Sequence, residues 1–161
     1  MSDIAVRSAT EADVPLILRF IRALAVYEKL QDEVVATEDG LRASLFCAEP
    51  AAEVLIASLR GAPVGFALFF TNYSTFLGQA GLYLEDVYVV PEARGKGVGL
   101  ALLRELARIA IARGYGRMEW WVLDWNQPSI DFYEALGAEA MDDWTVYRLS
   151  GDAMGRLAAG S

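Results

Sequence analysis

The chain has 161 residues, more than half of them apolar, which is enough for one domain with a substantial core and too few for two of ordinary size. Fourteen Lys and Arg stand against 22 Asp and Glu, a net charge of −8 that disfavours a nucleic-acid partner and suits a cationic one. Histidine is absent and cysteine occurs once, which excludes Ser-His-Asp and Cys-His nucleophiles, His-ligated or thiolate-cluster metals and an internal disulfide.

No basic-then-apolar leader opens the sequence, and its apolar runs fall far short of a membrane span. A cytoplasmic, reducing setting is therefore expected, with Cys47 in the core as free cysteines usually are. Residues 4–7 read as a short strand. Thr10, with an acid three positions on at Asp13, starts a helix whose apolar stripe is Val14, Ile17, Leu18, Ile21, Leu24 and Ala25, ending near Tyr27-Glu28-Lys29. Thr37 caps a second helix that Pro50 stops, with Leu41, Leu45 and Phe46 on one face.

Two β-prone runs, 53–59 and 64–71, are joined by Arg60-Gly61-Ala62-Pro63 and read as an antiparallel pair. A polar loop at 72–79 leads to the next strand, 81–90. Residues 98–113 are helical by the spacing of Val98, Leu102, Leu106 and Ile109, and Gly114 closes them. A strand at 118–123, a short helix at 130–136 and a final strand at 144–149 complete the chain, with a loose C-terminus. The order β-α-α-β-β-β-α-β-α-β defines an α+β (α/β) fold: a mixed, mostly antiparallel sheet with one parallel βαβ step, flanked by helices, in a single domain over 1–161.

The stretch 84–99 carries the clearest chemistry. A strand stops at Pro91, passes through Arg94-Gly95-Lys96-Gly97-Val98-Gly99 and opens into a helix. Glycines at alternate positions remove Cβ atoms and permit φ > 0, so backbone N–H groups and the positive end of the helix dipole suit a phosphate or pyrophosphate. A nucleoside-triphosphate loop would need Ser or Thr after Lys96, where Gly97 stands, and a dinucleotide fingerprint would need glycine at Leu100. What fits is R-x-x-G-x-G: Arg94, Gly97 and Gly99.

This loop, after an acidic strand, resembles the acetyl-coenzyme A loop of the GCN5-related N-acetyltransferase family, and the element order resembles that family's topology along essentially the whole chain. Tyr27-Glu28, Leu84-Glu85-Asp86 and the run Trp125-Asn126-Gln127-Pro128-Ser129-Ile130-Asp131-Phe132-Tyr133 resemble its diamine and thialysine N-acetyltransferase branch. The resemblance implies an acetyl-coenzyme A dependent enzyme that acetylates a primary amine of a small cation, a diamine, polyamine or lysine analogue such as thialysine, by direct transfer, with no metal. Homodimers, no nucleic acid and no membrane partner are implied too. A protein or peptide N-acetyltransferase, or a non-catalytic coenzyme A-binding module, are the alternatives.

Acetyl transfer needs a neutral nucleophile, a polarised carbonyl and a proton for the departing thiolate. An alkyl ammonium with a pKa of about 10.4 is almost wholly protonated near pH 7, so a base beside it is useful. By resemblance Glu85 is that base, directly or through a water, and Asp86 holds the cation. Neighbours on a regular strand face opposite ways, so both reach one cleft only if the strand bulges or splays. Tyr133, in Phe132-Tyr133, is implied as the acid. The cofactor arm would pair with the backbone of Val87, Tyr88 and Val89, the diphosphate would lie on Arg94, Gly95, Lys96, Gly97, Val98 and Gly99, and Asn126 and Ser129 would bind the arm or cap the short helix. Arg94 and Lys96 read equally as solvated loop cations. Tyr27, Glu28, Glu119, Trp121, Asp142 and Asp143 could line an aromatic, acidic amine pocket, with either aspartate as its acid. The loop at Ser74-Thr75-Phe76 lacks the acid-proline-tryptophan pattern of spermine-type enzymes, which favours a small amine or amino acid analogue.

Overall fold

Thr10 and Asp13 form the capping box read from the sequence, the Asp13 carboxylate accepting the Thr10 N–H at 2.7 Å. The Arg7 guanidinium donates two further bonds to it, at 2.7 and 2.9 Å, and this pairing holds the Asp13 carboxyl down at about 2. These contacts belong to a computed structural model that describes residues 3–160. From this cap the chain enters helix α1 (Val14–Tyr27), preceded by strand β1 (Ile4–Ser8). Helix α2 (Glu38–Leu45) starts at Thr37, whose Oγ1 accepts the Gly40 N–H at 3.1 Å. It ends five residues before Pro50. Cys47, expected inside, is exposed on the turn that follows, because the buried face of α2 stops at Leu45.

Strands β2 (Glu53–Leu59) and β3 (Ala62–Ser74) meet through two residues, Arg60 (φ 51°) and Gly61 (φ 82°). Positive φ at both central positions gives the twist that a two-residue hairpin requires. Strand β2 has the bounds read from the sequence, whereas β3 starts two residues earlier, with Ala62 and Pro63 inside it. The expected polar loop shrinks likewise, since β3 runs on to Ser74 and β4 (Gln79–Val89) starts at Gln79. Helix α3 (Val98–Ala112) crosses over to β5 (Met118–Trp120), which pairs parallel with β4. The sheet order is β1-β2-β3-β4-β5.

Contacts divide the chain into two compact units, one running through Leu123 and one beginning at Asp124. In the first, α1 lies on one face of the sheet. Ile17, Phe20 and Leu24 pack there with Val54, Ile56, Phe66 and Tyr88, and the Phe20 and Phe66 rings stack at 5.5 Å. Helix α3 covers the other face with Val98, Leu102 and Leu106. Each fully buried side chain of this size contributes about 1.5–3 kcal/mol of transfer free energy, so the two faces hold the sheet that carries the site. The second unit holds α4 (Gln127–Ala135) and α5 (Gly151–Ala158). The strand expected at 144–149 does not form: the segment is irregular and exposes Trp144, Val146, Tyr147 and Leu149. Alternating side chains do not make a strand without a neighbour to take its N–H and C=O groups. Residues 151–158, for which no element was expected, form α5, and the loose end expected near Ser161 falls beyond it, with Ser161 outside the described residues.

Candidate active site

The pairing of β3 with β4 slips by one residue at the acidic pair. Leu68 opposes Asp86 while Phe69 opposes Leu84, so Glu85 is the extra residue of a β-bulge. Before the bulge Leu82 and Leu84 lie on the α3 face. After it Val87 and Val89 do, opposite Ala67 and Gly65. Asp86 thereby turns to the α1 face beside its partner Leu68, and Glu85 projects from the kink, exposed. The distortion that two adjacent acids need to serve one cleft is present.

Around the bulge the acids act on one another. Burial first, then the charges of Glu85 and Glu28, push the half-buried Asp86 carboxyl up to about 7. Burial alone raises Glu28, one residue beyond α1. Tyr83, which no motif marks, faces the same side; burial, then Glu85 and Glu119, raise its phenol to about 12. Its ring lies 4.9 Å from Phe70 and meets Trp121 edge-on at 6.0 Å, so an aromatic wall adjoins the carboxylates. Glu28 and Asp86 are thus close enough for their charges to interact, Trp121 joins them through Tyr83, and Tyr27 ends α1 just before Glu28. Glu119 reaches the wall's far side already partnered, by Arg117 Nε at 3.1 Å and Asn72 Nδ2 at 3.3 Å. A cation entering between Glu28, Glu85 and Asp86 would draw the Asp86 proton off, because opposite charge favours the ionised form.

Beside this pocket β4 has an open edge. β5 pairs only with Leu82–Leu84, leaving the last five residues of β4 without a strand on that side among the described residues. The Val90 N–H bonds to the Val64 carbonyl at 2.8 Å, so Tyr88 directs its backbone groups to β3. By alternation those of Val87 and Val89 point into the gap. The gap opens at its far end onto the glycine loop. Gly95 (φ 75°) and Gly97 (φ 89°) are left-handed, and Gly97 is the N-cap of α3, where the first-turn N–H groups lack intrahelical partners. Gly99 is ordinary helix close to Val89 Cγ2, at 3.9 Å from an added Cβ. A loop of this shape fits a diphosphate, and the strand edge fits an amide-bearing arm. Gly97→Ala should lower stability by about 1–2 kcal/mol, the cost of a left-handed L-residue, and weaken cofactor binding in step. Thermal unfolding with and without coenzyme A measures both.

The two loop cations take different positions. Lys96 borders a shallow depression of about 340 Å³ with Asp3, Ile4, Leu59 and Arg60. Arg94, exposed, folds back onto β4: its Nε donates to the Val89 carbonyl at 2.9 Å, and its guanidinium lies 4.8 Å from the centre of the Tyr27 ring. In the second unit Asn126 is buried and is the N-cap residue of α4, its carbonyl accepting the Ile130 N–H at 3.1 Å. Ser129 and the half-buried Tyr133 lie on α4, with Phe132 and Tyr133 rings 5.7 Å apart. Asp142 and Asp143 are exposed in the irregular segment after α4. Among the described residues no group of His, Cys, Asp and Glu could hold a metal ion, and no helix is long and apolar enough to cross a membrane.

An open strand edge thus runs into a glycine-capped helix beside an acidic and aromatic cluster. The acetyltransferase (GNAT) family pattern matches residues 22–138, and the chain belongs to that family. It is an N-acetyltransferase. It is 40% identical to a thialysine N-epsilon-acetyltransferase of Bos taurus, over 98% of this chain and 99% of the relative. To an L-ornithine N5-acetyltransferase of Arabidopsis thaliana it is 34% identical, over 92% and 85%. Among solved structures, an integron cassette protein from the mobile metagenome of V. cholerae superposes with a TM-score of 0.79 at 26% identity, covering 98% of this chain and 99% of that one.

Proposed function

We propose that the protein transfers the acetyl group of acetyl-coenzyme A directly to a primary amine of a small cation: a diamine, a polyamine or a lysine analogue such as thialysine. The observation that carries this is the bulge at Glu85, which gathers Glu85, Asp86 and Glu28 beside an open strand edge. The thioester arm lies along Val87 and Val89 with its diphosphate on Gly95 to Gly99. Asp86 and Glu28 hold the ammonium. Glu85, exposed at the kink, takes the proton through a water. The neutral nitrogen attacks the carbonyl carbon, a C–N bond forms, the C–S bond breaks and Tyr133 protonates the sulfur; the nitrogen then gives up its second proton, which through solvent restores the Tyr133 phenol, leaving an amide and a free thiol. The relatives named for thialysine and ornithine support an amino acid or diamine substrate.

A homodimer in the cytoplasm is the proposed working form. The apolar residues exposed at Trp144, Val146 and Tyr147 and the lone Cys47 accord with it. The test is a panel of monoamines, diamines, polyamines, thialysine, ornithine and peptides, read by thiol release from acetyl-coenzyme A. Release should depend on the amine and favour small substrates with a second cationic group. Release indifferent to the amine, or strongest with peptides, would overturn the reading.

A further inference from the structure

The side chain of Arg94, the first residue of the glycine loop, is engaged by the protein's own groups. Arg94 projects back over β4, and three contacts fix it: Nε to the Val89 carbonyl at 2.9 Å, the guanidinium 4.8 Å from the Tyr27 ring centre, and 5.6 Å from that of Tyr88. These partners belong to different parts of the machinery. Val89 lies on the strand edge that would pair with the cofactor arm. Tyr27 is the last residue of α1, and Glu28, directly after it, acts on Asp86 in the amine pocket.

We propose that Arg94 is a positioning residue that ties the cofactor edge of β4 to the end of α1, so that filling either ligand site strengthens the other. The inference rests on the function proposed above. A carbonyl oxygen has two lone pairs; Arg94 takes one at Val89, and the other remains for an amide of the arm. An arm bonded there fixes the carbonyl, the carbonyl fixes the guanidinium, and the guanidinium fixes the Tyr27 ring and with it the start of the turn that carries Glu28. Arginine suits this task because its planar face stacks while its edge donates. Linkage makes the effect reciprocal: an amine that orders Glu28 must tighten the cofactor by the same factor.

Calorimetric titration with coenzyme A and thialysine, each alone and in the presence of the other, measures the coupling. The unaltered protein should bind thialysine about 5–10-fold more tightly with coenzyme A present. Arg94→Gln should reduce that factor to below about twofold and raise the amine KM more than it lowers kcat. Tyr27→Phe keeps the ring and should keep the coupling. Tyr27→Leu should lose it, and the double variant should be no worse than either single one. Circular dichroism melts establish folding; if Arg94→Gln does not fold, Tyr27→Leu against Tyr27→Phe decides. Weaker coenzyme A binding in Arg94→Gln with coupling intact would make Arg94 a plain phosphate contact and overturn the proposal. Independent binding of the two ligands to the unaltered protein overturns it while the proposed function stands. No coenzyme A binding removes both.

Discussion

Replacing Asp86 by asparagine should give a protein that is harder to unfold at pH 8 yet acetylates amines about 10–100-fold less efficiently. Asp86 titrates near its ordinary value of 3.8 when unfolded and at about 7 when folded. The folded state therefore binds the proton more tightly, and stability falls as pH rises between those values. The penalty is nearly absent at pH 4 and fully present above pH 7. Its size there is about 2–4 kcal/mol, the upper figure being the full shift at 1.36 kcal/mol per pH unit. Asparagine, of the same shape and uncharged, avoids it. The same change removes the carboxylate that holds the ammonium, and a hydrogen bond to a charged group is worth about 1.5–3 kcal/mol, or roughly 10–100-fold. Urea unfolding at pH 4 and pH 8, with kcat/KM across pH 6–9, checks both halves. The variant's stability gain should appear only at the higher pH, and the inflection near pH 7 in kcat/KM should vanish. A gain equal at both pH values would mean that Asp86 is not the strained acid.

The second large effect separates the base from the acid. Glu85→Gln should lower kcat/KM at pH 7 by about 10²–10⁴, the usual range for a positioned base. The deficit should shrink as pH approaches about 10, where the amine loses its own proton. Tyr133→Phe should lower kcat by a similar factor with no recovery at high pH, because the missing proton is needed at the sulfur. Acyl donors with more acidic thiols should regain part of its loss, since a better leaving group needs less protonation. Thiol release across pH, with two acyl donors, distinguishes the variants. Identical pH profiles would contradict the division of roles.

Much of this architecture could be read from local signals, and the failures have physical reasons. The capping box at Thr10 and Asp13, the Thr37 cap and the left-handed glycines of the loop are each decided within a few residues. The bulge was anticipated only as a requirement, although its trace is in the spacing: Leu82 and Leu84 alternate, two positions intervene, and Val87 and Val89 resume in the other phase. Segment 144–149 has the alternation of a strand, but its backbone partners are non-local and the alternation does not supply them. Helix α5 was hidden by Gly151 and Gly155, which depress helix propensity, while Met154 and Leu157 leave only a short apolar stripe. Cys47 was placed inside by the habit of its residue type, whereas α2 ends before it. Arg94 was legible as a charge and not as a direction, since its partners Val89 and Tyr27 lie in separate elements. Tyr83 owes its displaced titration first to burial, then to Glu85 and to Glu119 on a neighbouring strand, a setting visible only in the folded sheet.

The account stands on a thioester lying along the free edge of β4 with its diphosphate at the start of α3. A crystal structure of the protein with acetyl-coenzyme A tests this most directly. The account predicts arm amides bonded to the backbone of Val87 and Val89, phosphate oxygens within hydrogen-bond distance of N–H groups between Gly95 and Leu100, and the acetyl carbon facing Glu85 and Asp86. A cofactor seated away from that edge, or with its acetyl group turned from the bulge, would contradict it.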